Sequence, residues 1–61
     1  MKILVVNETS TSRALGYYMA LFSLNRRYYY AALSILDNSV ISIESEYKTK
    51  KAAFAALDIT V

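Results

Sequence analysis

Arg27-Tyr28-Tyr29-Tyr30-Ala31-Ala32-Leu33-Ser34-Ile35-Leu36-Asp37-Asn38-Ser39-Val40-Ile41-Ser42-Ile43-Glu44-Ser45 is the stretch on which the fold turns. Ser39, Ile41 and Ile43 alternate with Val40, Ser42 and Glu44 on a β-branched background, the period of a strand. Leu36-Asp37-Asn38 is a turn signal, because Asp and Asn bond their own backbone and tolerate left-handed geometry. Arg27 to Ile35, rich in tyrosine, supplies the other arm of a hairpin. Tyr29, Ala32, Leu33 and Leu36 also fit a helical stripe, so this arm is less sharply marked than the second. In the strand reading, Ile41 and Ile43 are expected on the buried face, with Ser42 and Glu44 opposite.

Outward from the hairpin, Lys48-Thr49 opens a short helix running through Leu57, with Thr49 as N-cap, alanine at four positions and Asp58 as breaker. Ile59-Thr60-Val61 is β-branched and suits a closing strand. On the N-terminal side, Ile3 to Val6 reads as a buried strand ended by the polar turn Asn7-Glu8-Thr9-Ser10-Thr11-Ser12, full of N-cap candidates. Ser12 to Leu24 admits two readings. Helical spacing gathers Ala14, Leu15, Tyr18, Leu21 and Phe22 on one face, whereas strand alternation finds no polar side. Gly16 costs a helix there about 1 kcal/mol, and Asn25 suits a left-handed C-cap. The helix is the preferred reading.

These elements predict a single α+β domain over residues 1–61, with a small antiparallel or mixed sheet and two helices in the order β-α-β-β-α-β. That is a minimal ferredoxin-like arrangement. The alternative is a three-stranded sheet with one packed helix.

At 61 residues the core is small. Folding buries about 60% of the extended surface; the apolar share contributes on the order of 90 kcal/mol, and ordering the chain costs a similar amount. With no cysteine there is no disulfide framework, and with no histidine or cysteine the usual zinc ligands are missing. A homodimer or a complex with a partner is therefore the expected source of extra stability. The same absences exclude a Ser-His-Asp triad and a Cys-His pair, and no glycine-rich phosphate loop exists. No enzyme, catalytic residue, metal site or cofactor is expected. Glu44 and Glu46, two residues apart, read as the solvent face of a strand rather than a Mg²⁺ site. The longest uncharged apolar run, Ala14 to Leu24, is eleven residues, too short to cross a bilayer. The start does not read as a signal peptide, so a soluble, cytoplasmic protein is expected.

Two segments stand out. Arg26-Arg27-Tyr28-Tyr29-Tyr30 combines the residue types enriched at protein-interface hot spots, and it also suits phosphate contact with base stacking. On a strand, Tyr28 and Tyr30 face one way and Tyr29 the other. Lys48, Lys50 and Lys51 gather at a helix start, where the macrodipole is already positive; cations there cost about 0.3–1 kcal/mol each and suit an anion such as a nucleic-acid phosphate.

The stretch YKTKKAAFAAL, residues 47–57, resembles the sheet-to-helix junction of the arm-binding domains of phage-type integrases. It is also similar to the last strand and helix of double-stranded RNA-binding domains, which implies phosphate contact for Lys50 and Lys51. The resemblance covers about a third of the chain, and the glycines usual in that hairpin are missing. Richness in Tyr, Ile, Asn, Ser and Lys suits a bacteriophage or mobile element. A net charge of +2 is small for a duplex binder. The preferred function is a small protein-binding module, an accessory or inhibitor of a larger target. The alternative is a small nucleic-acid-binding regulator using the Lys/Arg residues.

Overall fold

The computed structural model describes residues 1–59. Six elements follow one another: β1 (Lys2–Asn7), α1 (Ser10–Leu15), β2 (Tyr17–Leu24), β3 (Arg27–Ser34), β4 (Val40–Tyr47) and α2 (Lys50–Ala56). The four strands form one antiparallel meander in the order β1-β2-β3-β4. The chain is α+β, but the order is β-α-β-β-β-α. It replaces both the expected β-α-β-β-α-β arrangement and the three-stranded alternative. The closing strand is expected at residues 59–61; Ile59 is not in a strand, and residues 60 and 61 lie outside the described residues.

The correction lies at residues 12–24. Only a short helix forms before them. Thr9 caps α1 with a reciprocal pair: the Ser12 N–H donates to the Thr9 hydroxyl, and the Thr9 N–H donates to the Ser12 hydroxyl, both at 3.0 Å. Gly16 then ends the helix at φ 88, a left-handed value that glycine adopts without strain. From Tyr17 the chain becomes β2, the strand between β1 and β3. Ala20, Leu21 and Phe22 are consecutive and all buried, because an inner strand has two covered faces. The missing polar side, which favours a helix in sequence, is the signature of that inner strand. Asn25 is indeed left-handed, but as the first residue of the β2–β3 turn and not as a helix cap.

That turn is a two-residue connection. Asn25 and Arg26 have φ 53 and 66, the positive values a type I′ hairpin turn requires. It fixes an uninterrupted register from Leu24↔Arg27 to Tyr17↔Ser34. The β3–β4 turn forms where Leu36-Asp37-Asn38 predicted it. The Asp37 carboxylate accepts from the Ser39 N–H at 3.0 Å and hydroxyl at 2.7 Å, and Asn38 takes φ 60. Two register shifts interrupt β3–β4, and neither Ile41 nor Glu44 has a partner across the ladder. Thr49 caps α2 as predicted, its hydroxyl accepting from the Ala52 N–H at 3.1 Å. Asp58, at φ 55, follows it.

The register assigns two faces. One carries Val5, Leu21, Tyr30 and Ala32. Leu57 and Ile59, following α2, line a cavity with Val5, Val6, Asn7 and Tyr30, so the C-terminal segment packs beside β1 and β3 and reaches Val6 as well as this face. The other carries Ile3, Val6, Ala20, Phe22, Ala31, Leu33 and Ile43. Ala20, Phe22, Ala31 and Leu33 are buried there, with Tyr18 and Tyr29 packed against them. This second face is closed at its centre and open at its rim; α1 contacts only β2, and α2 contacts β3 and β4. Phe22 and Tyr29 stack at 5.6 Å between centroids, and the Tyr18 hydroxyl donates to Asn38 Oδ1 at 2.7 Å across the edge. Ile41 and Ile43, expected to be buried, are 59% and 55% exposed. They sit on β4, an edge strand of the sheet, where two register shifts interrupt the pairing with β3.

Candidate protein-binding surface

The Arg26–Tyr30 segment does not form one surface. Arg26 occupies the turn, while Tyr28 and Tyr30 point to the α2 side and Tyr29 to the open face, as alternation along a strand demands. Tyr30 reaches across β2, where the Asn7 Nδ2 donates to its hydroxyl at 3.4 Å. Arg27 shares the open face with Tyr29 and lies 3.8 Å from the Glu46 carboxylate. Burial first, and then the Glu46 carboxylate, hold the Tyr29 phenol above its ordinary pKa. Tyr29 thus stays uncharged, stacked on Phe22, at every pH near neutrality.

What the sequence reading missed is the apolar rim around Tyr29. Ile3, Val6 and Leu24 from β1 and β2 are 39%, 53% and 42% exposed; Val40 and Ile43 on β4 are 45% and 55% exposed. The rim joins the Phe22–Tyr29 stack into one apolar sheet face. The signal was present as β-branched residues in Ile3–Val6 and Val40–Ile43. Those positions read as core because nothing in a sequence tells whether a second layer arrives to cover them.

The basic residues fall into a second arrangement. Lys2 pairs with Ser23, Leu24 with Arg27, and Tyr28 with Tyr47. These registers bring Lys2, Arg26, Arg27 and Lys48 to one end of the sheet, where α2 begins with Lys50 and Lys51. Six of the seven basic residues therefore collect at one end, and Arg13, paired with Glu8 at 2.6 Å, sits at the other. The Lys50 ammonium lies 5.4 Å from the centroid of the Phe54 ring, a cation–π contact that offsets part of its unfavourable place at the helix start. Glu44 and Glu46 do not act as a pair: Glu44 stands at a register shift, and Glu46 faces Arg27 and Tyr29.

Among the described residues no helix is long and apolar enough to cross a membrane. No family model matches the chain, and no characterised protein or solved structure matches it.

Proposed function

We propose that this chain is a small, non-catalytic protein-binding module, an accessory or inhibitor, and that the open sheet face is the surface that binds. The observation that carries this reading is the apolar rim about half open to water around a buried aromatic stack. Isolated exposed apolar residues are ordinary, but half-exposed aliphatic side chains gathered along the rim of one sheet face mark an interaction surface. Rigid aromatics at the centre and aliphatic residues around them match the anatomy of a binding hot spot. The test is retention of a protein partner on immobilised chain, with and without nuclease. Retention should survive nuclease and be lost in Ile43→Asp, which changes the face without touching a buried position. Loss on nuclease treatment, or retention by Ile43→Asp, refutes the reading.

One observation favours a second reading. The six cations at one end of the sheet would suit a phosphate backbone, making the chain a small nucleic-acid-binding regulator. The nuclease arm separates the two.

A further inference from the structure

Resting on the second of those readings, and apart from the protein-binding rim, we infer that the cationic end takes a single-stranded nucleic acid. One base stacks on Phe54, and Lys50 and Lys51 hold the flanking phosphates. Three observations meet here.

The first is charge. Lys2, Arg26, Arg27, Lys48, Lys50 and Lys51 are all exposed. Among the described residues only Arg27 has a carboxylate partner at this end, Glu46 at 3.8 Å. Glu8 and Asp37 stand at the opposite end, one before α1 and the other in the β3–β4 turn. Cations gathered on one surface with so few carboxylates among them are complementary to a chain of phosphates.

The second is a depression beside these cations. Lys50, Lys51, Phe54 and Ala55 line an open cavity of about 550 Å³ on α2, a volume suited to a small planar ligand. Its walls are mostly carbon, from the Phe54 ring, Ala55 and the lysine stems. Phe54 is half-buried, and the Lys50 ammonium lies 5.4 Å from its ring centroid. An aromatic wall between two ammonium groups fits a flat heterocycle joined to phosphate. The base lies against the ring, and the exposed Lys50 side chain turns its charge to the backbone. Tyr28 and Tyr47, paired across the ladder at the same end and also partly exposed, offer a second aromatic position.

The third is what the other polyanions lack. The bases of a duplex are already stacked on one another, so a duplex leaves Phe54 unused. An anionic lipid surface calls for aliphatic side chains beside the cations. The two most exposed here, Leu15 at 70% and Leu36 at 94%, lie at the opposite end of the sheet. The strand-binding end shares no residue with the apolar rim around Tyr29, so one chain carries both surfaces.

The experiment is fluorescence anisotropy of the full chain with labelled oligothymidylate and oligouridylate of about 12 nucleotides and with a duplex of the same length. Cosedimentation with phosphatidylserine vesicles is the lipid arm. Both single strands should bind at least about 10-fold more tightly than the duplex, because only they can stack on Phe54. Phe54→Leu keeps an apolar side chain and removes the ring. It should weaken single-strand binding about 5–150-fold, the worth of one stacked base, and leave the salt slope unchanged. Lys50→Gln with Lys51→Gln should lower that slope by about 1.4, the share of two single-strand phosphates. Because Phe54 is half-buried, the parent chain supplies a second measurement: its Phe54 ring resonances should move when oligothymidylate is added. A duplex bound as tightly as the single strands overturns the inference and leaves the nucleic-acid reading standing. So does unchanged affinity in a folded Phe54→Leu, or Phe54 resonances that stay in place. Vesicle binding without oligonucleotide binding, or no binding of any probe, overturns that reading as well.

Discussion

Replacing Arg26 by glycine should stabilise the fold, and the size of the effect follows from the backbone. Arg26 holds φ 66 at the second central position of the β2–β3 turn. A non-glycine residue in that region costs about 1–2 kcal/mol relative to the right-handed form. Glycine removes that cost but returns about 0.5–1 kcal/mol through the greater freedom it has in the unfolded chain. The net gain is about 0.5–1 kcal/mol, because Asn-Gly is the pair that type I′ geometry prefers. For a domain of about 60 residues, 1 kcal/mol moves the melting midpoint by about 4–8 °C. Arg26→Gly should therefore melt about 2–8 °C above the parent. The assay is thermal unfolding followed by circular dichroism at one chain concentration, since association also shifts the midpoint. Arg27→Gly serves as the control and should melt lower, because it puts glycine inside a paired strand. A midpoint for Arg26→Gly equal to or below the parent refutes the reasoning. The two-residue turn, and with it the strand assignment of residues 17–24, would then be wrong.

Three further outcomes are expected. Gly16→Ala should cost about 1–2 kcal/mol in thermal unfolding; a side chain there would meet nothing within 4 Å, so the whole effect is the φ of 88 and not a clash. Lys50→Glu with Lys51→Glu should leave the protein equally or more stable, since relief at the helix start, about 0.3–1 kcal/mol per site, outweighs the lost Phe54 contact. Protein-partner retention should be unchanged; a loss of nucleic-acid binding, with a salt slope reduced by about two, would instead support the second reading. The Asp37 carboxyl is held below its ordinary pKa, first by the Ser39 hydroxyl and then by the Ser39 N–H. Because its folded value is depressed, its contribution is present above the unfolded pKa and lost as pH falls through the folded value. In Ser39→Ala, an NMR titration of Asp37 should move up toward the ordinary carboxylate range, and an unchanged midpoint would exclude the hydroxyl as the main cause.

Several elements were legible because their causes are local. Thr49 and the alanines after it carry the N-cap and the helix α2, and Asp37-Asn38 carries the β3–β4 turn. Each rests on hydrogen bonds and dihedral preferences within a few residues. The composition also set limits without any fold, since the chain has no histidine or cysteine for the nucleophilic and zinc chemistries that need them. Tyr17–Leu24 was not legible in the same way. Its apolar run fits either a helix face or a strand buried on both sides, and only pairing with β1 and β3 decides between them. Gly16 and Asn25 both mark left-handed points, but tertiary pairing decided that the first ends a short helix and the second opens a hairpin.

The candidate surface divides along the same line. The sequence by itself determined which residues are apolar, which are charged and that Tyr29 faces away from Tyr28 and Tyr30, because alternation is a property of any strand. Only the tertiary structure decided that Val6 and Ile43 flank one row whose central alanines are buried, and that Lys2, Arg26, Arg27 and Lys48 meet at one end. Burial depends on what arrives from elsewhere in the chain. On the outer strands β1 and β4 the same β-branched residues that would form a core stay half-exposed, while the inner strands β2 and β3 supply the buried centre.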